Sequence, residues 1–352
     1  MIAKCDIKKN QLIFSERIPA AVTLSRRMCQ QCLTVNFIPY PCIHCRGRVN
    51  YCSVKCQEEH ANIHVYECHA YRFQLFSHLG IAHLALRILL DNGIFSIVDK
   101  IKNANKNTAQ IWYDLLSNGD LSDDHNTSNY AESLRMKTHL DKMSELDIIW
   151  FAMVSHLIVV YLKHYTDYFE KLKEQSDIIN WEVLTGSLIL RHIGQSISNG
   201  HTYMTLIPTS LNVLSNTEYH MLNDRVWSTP WHLKLGYLNL FSDYETMASI
   251  NVPYKSLCNH SCVQSYQWRF SGRYVSTYAL RNFRKGDEIT NCYEMDYRKM
   301  KRKARRERLK ETYHFDCKCE DCQKTEAEDL EFVSLFRNIT FFLQFIINSY
   351  KI

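Results

Sequence analysis

Apolar and polar residues alternate over the first 24 positions in the manner of two short strands joined by a turn. Asp6 to Asn10 form the polar turn, and β-type residues follow from Gln11 to Ser15. From about residue 71 to residue 173 the apolar spacing becomes helical. It is seen at Leu79, His83, Leu86 and Leu90. The pattern predicts a short β segment followed by a largely helical one.

Helical and strand patterns are mixed in the second half of the chain. A helix is predicted over residues 181–198, and short alternating segments with turn residues follow from Thr202. The clearest strand spans residues 273–280 and ends at a turn over residues 284–287. The polar stretch 118–129 is predicted to be a loop. Both helices and short strands are therefore predicted in this half of the chain.

Two apolar segments raise the question of a membrane span. The longest run, residues 148–162, contains Ser155 and His156 and is shorter than the roughly 20 residues that cross a bilayer. It predicts a buried helix. The segment 332–350 is also apolar, but Arg337 and Asn338 interrupt it. We therefore expect no association with a membrane.

Composition and charge indicate a globular protein of two or three domains. The 352 residues are 46% hydrophobic and 12% aromatic, which excludes global disorder. The formal net charge is +5, but residues 298–310 carry nine basic residues and one acidic residue, or +8, which leaves −3 for the remainder. The basicity is therefore local and does not form the stripe typical of nucleic-acid-binding proteins.

The 14 cysteines carry the strongest chemical pattern. The N-terminus reaches charged residues within four positions and lacks the apolar core of a signal peptide, so we expect a reducing compartment. Thiols there are metal ligands, catalysts or core residues. Ten of them lie in two clusters, residues 29–68 and 317–322, and this spacing is typical of metal sites.

The first cluster holds eight soft or borderline metal ligands. They are Cys29, Cys32, Cys42, Cys45, Cys52, Cys56, His64 and Cys68. Eight such ligands satisfy two tetrahedral Zn2+ ions with no open position, which predicts structural sites. So short a segment buries little core, and we expect metal binding to supply much of its folding free energy. With the ligand positions filled, His60 and His69 are expected to be surface residues.

The second cluster, Cys317, Cys319 and Cys322, supplies three ligands. Three protein ligands can form an open catalytic zinc site, or a fourth ligand from elsewhere can complete a structural one. Cys258 and Cys262 are both candidates for that fourth position, and spacing alone leaves the choice open.

The first cluster resembles a MYND zinc finger. The resemblance rests on two Cys-x2-Cys pairs, on Tyr51-Cys-Ser-x2-Cys56-Gln and on His64-x3-Cys68. In that family the ligands of two zinc ions interleave along the chain. The resemblance therefore implies one zinc on Cys29, Cys32, Cys52 and Cys56 and another on Cys42, Cys45, His64 and Cys68.

Three later motifs resemble the SET domain and its cysteine-rich post-SET tail. They are Asn259-His-Ser-Cys262, Gly286-Asp-Glu-Ile-x3-Tyr293, and Arg305-Arg-Glu-Arg-Leu-x3-Tyr313-x-Phe315 with the second cysteine cluster. A SET domain split by a MYND finger defines the SET- and MYND-domain (SMYD) lysine methyltransferase family. The helix Arg191-His-x-Gly-Gln-x-x-x-Asn199 and the short opening strands place the resemblance nearest the branch named SET and MYND domain-containing protein 4.

The resemblance implies an α+β fold, namely a SET-domain β fold split by a MYND zinc finger, with a helical insert and a cysteine-rich post-SET segment. The implied boundaries are 1–24 for the N-terminal part of the SET domain, 25–69 for the finger, 70–180 for the helical insert, 181–297 for the SET core, 298–323 for the basic helix and post-SET zinc segment, and 324–352 for an apolar tail. The family's Gly-x-Gly cofactor loop precedes the first strand. We therefore expect either that residues before Met1 are missing or that the cofactor site lacks one wall.

Two further positions depart from the family pattern. Gln264-Ser265 replaces the usual Pro-Asn, and Asn10 replaces a turn glycine. Asparagine tolerates left-handed backbone conformations, so the second change is mild.

The resemblance also implies the site residues. Cys262 would complete a third structural zinc with Cys317, Cys319 and Cys322, and Tyr293 holds the position of the catalytic tyrosine. Contacts to S-adenosylmethionine, or to the channel for the substrate lysine, are implied for Asn199, Ser256, Asn259, His260, Tyr293, Tyr313 and Phe315. Considered without the resemblance, Asn199 and Asn259 could be turn or cap residues and Tyr293 a core residue.

The expected reaction is methyl transfer to lysine, on histone or non-histone proteins. A free lysine has a pKa near 10.4, so an aromatic channel beside a cationic cofactor must lower it to give a neutral amine. Positioning and electrostatics then supply the rate. We expect a monomer in the nucleus and cytoplasm. The alternative is a catalytically weak adaptor whose finger binds proline-containing peptides of partner proteins.

The basic segment 298–310 has two interpretations. It could be a nuclear import signal or a nucleic-acid patch. The family instead has a charged, solvated helix at this position, which is the interpretation we favour. Sequence-specific DNA binding by the finger is disfavoured because residues 29–68 hold few arginines and no recognition helix patterned on one.

Overall fold

The computed structural model describes residues 1–36, 39–92, 130–175, 179–208, 242–293 and 300–324. The predicted loop at 118–129 and the apolar tail 324–352, except for its first residue, lie outside these residues.

The described residues contain eight strands. They are β1 (Leu12–Arg17), β2 (Ala20–Thr23), β3 (Tyr40–Pro41), β4 (Asn50–Tyr51), β5 (Gly200–Pro208), β6 (Ser242–Asn251), β7 (Tyr266–Ser271) and β8 (Tyr274–Ala279). Two sheets have the strand orders β1–β8–β7 and β2–β6–β5, and β3 pairs with β4. The strands predicted at 11–15 and 273–280 are confirmed. Asn10 adopts φ 68° in the turn before β1, as its tolerance of this conformation allows.

The helices follow the predicted apolar spacing. They are α1 (Val54–Arg72), α2 (Leu75–Leu79), α3 (Ile81–Asn92), α4 (Tyr130–Arg135), α5 (Glu145–Tyr165), α6 (Tyr168–Lys173), α7 (Trp181–Asn199), α8 (Pro253–Ser256), α9 (Arg302–Tyr313) and α10 (Glu320–Gln323). Ser53, Ser144 and Asn180 cap α1, α5 and α7, each accepting a hydrogen bond from the amide three residues on.

The chain divides into two compact units. The smaller unit consists of Met1–Ser15, Tyr254–Arg269 and Ser276–Ile352, and the larger unit of Glu16–Pro253 and Phe270–Val275.

The larger unit has a mainly helical core. Helix α3 packs against α7 and against strand β2, and α5 packs against α7. Leu86, Ile158 and Leu188, one from each of these helices, have no exposed surface. The predicted helical segment therefore supplies most of this core.

Helix α5 corresponds to the long apolar run and is buried on one face only. Val154, Ile158 and Leu162 lie in the core. Besides Tyr165 in the last turn, five large apolar residues on the opposite face of α5 are exposed, which contradicts the prediction of a buried helix for that face. They are Leu146, Ile149, Trp150, Met153 and Leu157. By length and composition α5 is long and apolar enough to cross a membrane, but its other face packs within the larger unit.

A buried polar network joins α1 to α3. The Glu67 carboxylate accepts hydrogen bonds from Arg87 Nε at 2.9 Å and from Arg87 Nη2. Its Oε1 also lies 3.0 Å from His83 Nε2. Arg87 Nη1 donates to His60 Nε2 at 2.9 Å, and His60 Nδ1 lies 3.1 Å from the Tyr51 hydroxyl. Glu67 and Arg87 are completely buried.

His60 was predicted to be a surface residue, and that prediction is wrong. Its side chain has no exposed surface, because it lies between Tyr51 and Arg87. A guanidinium can only donate, so His60 Nε2 accepts and the proton of the neutral ring is on Nδ1. Burial, reinforced by the charge of Arg87, lowers the pKa of His60 well below its usual value. His69, by contrast, is exposed as predicted.

The motif on α7 holds the segment that contains α4. Arg191 Nε donates to the Leu134 carbonyl at 3.0 Å, and Gln195 Nε2 donates to the same oxygen at 2.9 Å. A Cβ on Gly194 would come within 2.9 Å of the Leu140 side chain, so this close approach needs glycine. Arg191, Gly194 and Gln195 belong to the motif on which the resemblance to the branch named SET and MYND domain-containing protein 4 rests, and their role in this structure is to pack α7 against the segment that contains α4.

His192 is buried within this motif and remains neutral. The Gln195 amide nitrogen is committed to a carbonyl, so its oxygen accepts from His192 Nδ1 at 2.7 Å. His192 Nε2 then accepts from the Tyr130 hydroxyl at 2.7 Å. Burial lowers the pKa of His192 to about 4.

We expect His192 to make the protein less stable in mild acid. The unfolded state takes up a proton near pH 6.5 and the folded state only near pH 4, so stability falls as the pH decreases between these values. The loss should be roughly 1.4 kcal/mol between about pH 7.5 and about pH 5.5. Urea denaturation of wild type and His192→Gln at both pH values measures it, since the other histidines remain in both proteins. Equal pH dependence in the two proteins would contradict the prediction.

The smaller unit has its own apolar core. Ala3 donates its backbone N–H to Asp287 O at 2.9 Å, and Ile7 bonds in the same way to Phe283 at 2.9 Å. The N-terminal residues thus pair with the segment that follows β8. Ala3, Ile7, Phe283 and the buried Ile289 form this core together with Tyr266.

Candidate active site and metal sites

Three groups of four residues bring their ligand atoms within 4.8 Å of one another. We name them in chain order. The first ligand set is Cys29, Cys32, Cys52 and Cys56, the second is Cys42, Cys45, His64 and Cys68, and the third is Cys262, Cys317, Cys319 and Cys322. These are the three sets that the family resemblance implied.

The first ligand set combines a turn, the end of strand β4 and the start of α1. Cys32 Sγ lies 3.6 Å from Cys52 Sγ, and Cys52 Sγ lies 3.4 Å from Cys56 Sγ. Four sulfurs around a tetrahedral Zn2+ at about 2.3 Å are separated by about 3.8 Å, so these distances fit the ion. The Arg273 guanidinium donates to the Gln31 carbonyl and thereby holds the turn that carries Cys32.

The second ligand set lies between a tight turn and α1. Cys42 Sγ is 4.0 Å from Cys68 Sγ, and the turn closes through a hydrogen bond from Gly47 N to Cys42 O at 2.9 Å. Gly47 has φ 70°, a conformation that glycine adopts readily. Both ring nitrogens of His64 are buried without a hydrogen-bond partner. Such an unsatisfied group is costly, and a metal bond at one nitrogen removes that cost.

The two sets interleave along the chain. Cys42 and Cys45 of the second set lie between Cys32 and Cys52 of the first. Helix α1 carries ligands of both sets, namely Cys56, His64 and Cys68.

The third ligand set contains Cys262 rather than Cys258 as its fourth ligand. Cys262 Sγ lies 3.5 Å from Cys322 Sγ and 4.0 Å from Cys317 Sγ. Cys258 is buried but is not part of the set. A fully ligated set of four thiolates has no open position, which is the arrangement of a structural rather than a catalytic zinc.

Arg305 was expected in a solvated helix, but the structure buries it. It belongs to the basic helix and has no exposed surface. It pairs with Asp321 and lies near Cys262 and Cys322. Burial alone would lower the pKa of Arg305, but the Cys262 thiolate and Asp321 raise it. Four thiolates around one Zn2+ would leave two negative charges, which this guanidinium would partly compensate.

Half-buried aromatic rings cluster beside the third ligand set. The ring centroid of Tyr293 lies 5.1 Å from His260 and 4.9 Å from Tyr313, and His260 lies 5.9 Å from Phe315. His314 adopts φ 60° and ends α9, which turns the chain between Tyr313 and Phe315. The four rings form one surface of the smaller unit, which we call the aromatic cluster.

The Tyr293 hydroxyl is fixed in direction. It donates to the Cys258 carbonyl at 2.7 Å. Burial, with smaller contributions from Cys258 and Tyr313, raises the pKa of Tyr293 to about 12. The phenol therefore keeps its proton at neutral pH and acts as a neutral hydrogen-bonding group.

His260 connects the aromatic cluster to the third ligand set. The backbone N–H of Tyr293 donates to His260 Nδ1 at 3.0 Å, so a neutral ring carries its proton on Nε2. That nitrogen lies 3.4 Å from Cys262 Sγ and donates to it. Ligands held by a second layer of donors keep their orientation, and His260 has this role for Cys262.

The segment that contains Asn259 pairs through its backbone with the segment that contains Asn291. The Asn259 carbonyl accepts from Asn291 N at 2.8 Å, and Ser261 N donates back to Asn291 O at 2.8 Å. The Asn259 amide donates to Glu288 Oε1 at 2.7 Å. This backbone pairing places the Asn-His-Ser-Cys motif directly beside the segment that carries Tyr293.

Comparison with known protein families identifies the family of this chain. The sequence model of the SET-domain family matches residues 1–294. The chain belongs to the SET-domain family. Every ligand of the third set except Cys262 lies beyond the matched part.

Similar proteins carry SMYD names, which confirms the resemblance stated above. The chain is 25% identical over 329 residues to "Protein-lysine N-methyltransferase SMYD4" of Danio rerio, covering 86% of this chain and 42% of that protein. The Mus musculus SMYD4 is 23% identical over 343 residues, covering 86% and 39%. "Histone-lysine N-methyltransferase SMYD3" of Mus musculus is 35% identical over 82 residues, covering 23% and 18%. This SET-domain chain thus spans about two fifths of the length of the SMYD4 relatives.

The smaller unit of this SET-domain chain brings together most of the predicted cofactor residues. Asn259 and His260 are consecutive, and His260 contacts Tyr293 and Phe315. Ser256 is half-buried at the end of α8, three residues before Asn259. Their contact with a cofactor stays a prediction.

Asn199 belongs to the larger unit and ends α7. Its Nδ2 donates to the Gln195 carbonyl at 3.0 Å and to the Lys137 carbonyl at 2.9 Å. This is the capping role that the sequence left open as an alternative. A contact with the cofactor stays a prediction for this residue as well.

Proposed function

We propose that this chain is an S-adenosylmethionine-dependent protein-lysine N-methyltransferase. The observation that carries the proposal is the Tyr293 phenol, directed at the Cys258 carbonyl within the aromatic cluster. The SMYD names of the similar proteins support the same reaction class. The substrates we propose are lysines of histone or non-histone proteins in the nucleus and cytoplasm.

The residues of the smaller unit fit the chemistry of this cofactor. A sulfonium is cationic and is attracted to aromatic faces and to oxygen atoms. His260, Tyr293, Tyr313 and Phe315 supply the rings, and the Tyr293 hydroxyl supplies an oriented oxygen. We assign cofactor binding to these residues with Ser256 and Asn259. When bound, the cofactor supplies an electrophilic methyl group.

The aromatic cluster would prepare the substrate lysine for methylation. Half-buried rings exclude water and disfavour a charged ammonium, which lowers the lysine pKa and favours the neutral nucleophilic amine. The Tyr293 phenol remains protonated and fixed in direction, so its oxygen can stabilise positive charge that develops beside it.

We further propose that each ligand set holds one structural Zn2+, giving three ions per chain. The first two sets would form a MYND finger within residues 25–69, and the third would close a post-SET segment onto Cys262. The partnerless His64 nitrogens support the finger, and the buried Arg305 beside the thiolates supports the third ion.

The test is calorimetric titration of the zinc-loaded full chain with S-adenosylmethionine, followed by methyl transfer to histone and other protein substrates. We expect saturable binding, weakened at least about tenfold by Asn259→Ala, which corresponds to about 1.4 kcal/mol. Tyr293→Phe should bind the cofactor and lose methyl transfer, because only the hydroxyl is removed. Tyr274→Phe, at an exposed tyrosine, should behave like wild type.

A second candidate function is a peptide-binding adaptor. A cleft of about 390 Å3 is lined by Cys42, His64 and Cys68 of the second ligand set and, next to them, by His44, Gln57, Val65, His69 and Arg72 among others. Such a cleft could receive a proline-containing peptide. If the full chain does not bind S-adenosylmethionine, either with or without the family's upstream glycine-loop segment added, the methyltransferase proposal is wrong. Saturable binding of a proline-containing peptide by the full chain would then support the adaptor.

A further inference from the structure

One face of α5 exposes five large apolar side chains. The exposed fractions are 78% for Leu146, 57% for Ile149, 59% for Trp150, 60% for Met153 and 45% for Leu157. We call these residues the α5 face. Single exposed apolar residues are ordinary, but five on one helix amount to roughly 600 Å2, which is at the upper limit of what monomers expose. The size of this patch points to an interaction surface.

The spacing of the α5 face fits a helix partner. Leu146, Trp150, Met153 and Leu157 follow one another at intervals of four, three and four residues. This interval keeps the side chains on one narrow stripe, as in pairs of packed helices. The helix cannot rotate to bury the stripe, because Ile158 and Leu162 already fix its opposite face in the core.

The charges at the two ends of α5 select the orientation of that partner. Glu145 and Asp147 lie in the first turn, and Lys163 and His164 lie in the last. A second α5 in the antiparallel direction would bring acidic ends next to basic ends, whereas a parallel one would oppose like charges. Lys163 also pairs with Glu182 of the same chain at 2.9 Å, but its side chain is 47% exposed, so Lys163 and His164 together form the basic end that meets Glu145.

We propose that two copies of this chain associate through the α5 face in an antiparallel, two-fold symmetric dimer. Met153 would lie next to the axis, with Trp150 of each copy against Leu157 of the other. Two patches of roughly 600 Å2 give roughly 1,200 Å2 of buried surface, the lower limit for specific interfaces. We therefore expect a dimer with a micromolar dissociation constant, which replaces the monomer expected from the sequence.

Sedimentation velocity of the zinc-loaded full chain, from about 1 to about 100 µM, tests the dimer. We expect the sedimentation coefficient of wild type to rise with concentration toward that of a dimer. Met153→Glu should weaken association at least about tenfold, because it places two carboxylates at the axis. Leu24→Glu is the matched control, since Leu24 is 54% exposed but lies outside α5 and outside the ligand sets, and it should dimerise like wild type.

Charge reversal tests the antiparallel orientation separately. Glu145→Lys should weaken the dimer by setting a lysine against His164, and adding His164→Glu to the same chain should restore it. Both sites are on the surface, so folding is preserved. A wild type that stays monomeric at every concentration, or a dimer unaffected by Met153→Glu, overturns the proposal and assigns the face to another occupant, such as a partner protein or the apolar segment 332–350.

Discussion

Replacing Glu67 with alanine should destabilise the protein by about 3–5 kcal/mol. The Glu67 carboxylate is the anionic partner of the Arg87 guanidinium and also contacts His83, and all three side chains are buried. Burial alone would raise the pKa of Glu67, but the charge of Arg87 holds it well below its usual value. Removing the carboxylate leaves a guanidinium in the core without a counter-charge, which is the costly way to break a buried ion pair.

Urea denaturation of zinc-loaded wild type and Glu67→Ala measures this loss. Glu182→Ala is the matched control, because Glu182 pairs with Lys163 in a partly exposed ion pair that should contribute less than about 1 kcal/mol. Combining Glu67→Gln with Arg87→Met removes both charges and should recover part of the stability. The argument fails if Glu67→Ala costs no more than Glu182→Ala.

Cys262→Ser should reduce the zinc content from three ions per chain to two. Cys262 is the ligand of the third set that lies far from the others in sequence, and a serine hydroxyl is a poor substitute for a thiolate on zinc. Structural zinc sites contribute on the order of 10 kcal/mol to the folding of the segments that they join. We therefore expect residues 317–322 to detach from Cys262 and the melting temperature to fall.

The aromatic cluster should lose its order in the same variant. Tyr293, Tyr313 and Phe315 pack against the buried Cys262, Leu309, Cys317 and Cys322. Cofactor binding should therefore be lost together with the ion. Cys258→Ser is the control, because Cys258 is equally buried, lies four residues away and is outside the ligand set. A Cys262→Ser protein that keeps three ions would contradict this assignment.

The ligand sets could be predicted because metal ligands leave a spacing in the sequence. The eight ligands of residues 29–68 were recognisable from residue type and interval alone. Their division into two interleaved sets was not, since many divisions of eight ligands satisfy the same intervals, and only the family resemblance implied the one found. The prediction of Cys262 rather than Cys258 as the fourth ligand of the third set also depended on the family resemblance.

The buried charges could not be predicted from the sequence. His60 and Arg87 occur in segments of ordinary helical composition and Arg305 in a basic segment expected to be solvated, and the burial of all three depends on partners brought together by the fold. His60 lies between residues from β4 and α3, and Arg305 lies against thiolates from two separate segments. The apolar run 148–162 gave the opposite error, since it predicted a buried helix and one face of α5 is exposed. Apolar content alone does not reveal how many faces of a helix the core can cover.

The interleaving of the first two ligand sets would couple the two proposed zinc ions thermodynamically. A loop closed by a zinc on the first set would contain Cys42 and Cys45, and α1 carries ligands of both sets. Loss of either ion would release a segment that holds ligands of the other, which disfavours half-loaded forms. The segment would then populate an empty and a doubly loaded state, and its occupancy would respond to free zinc more steeply than that of a single site.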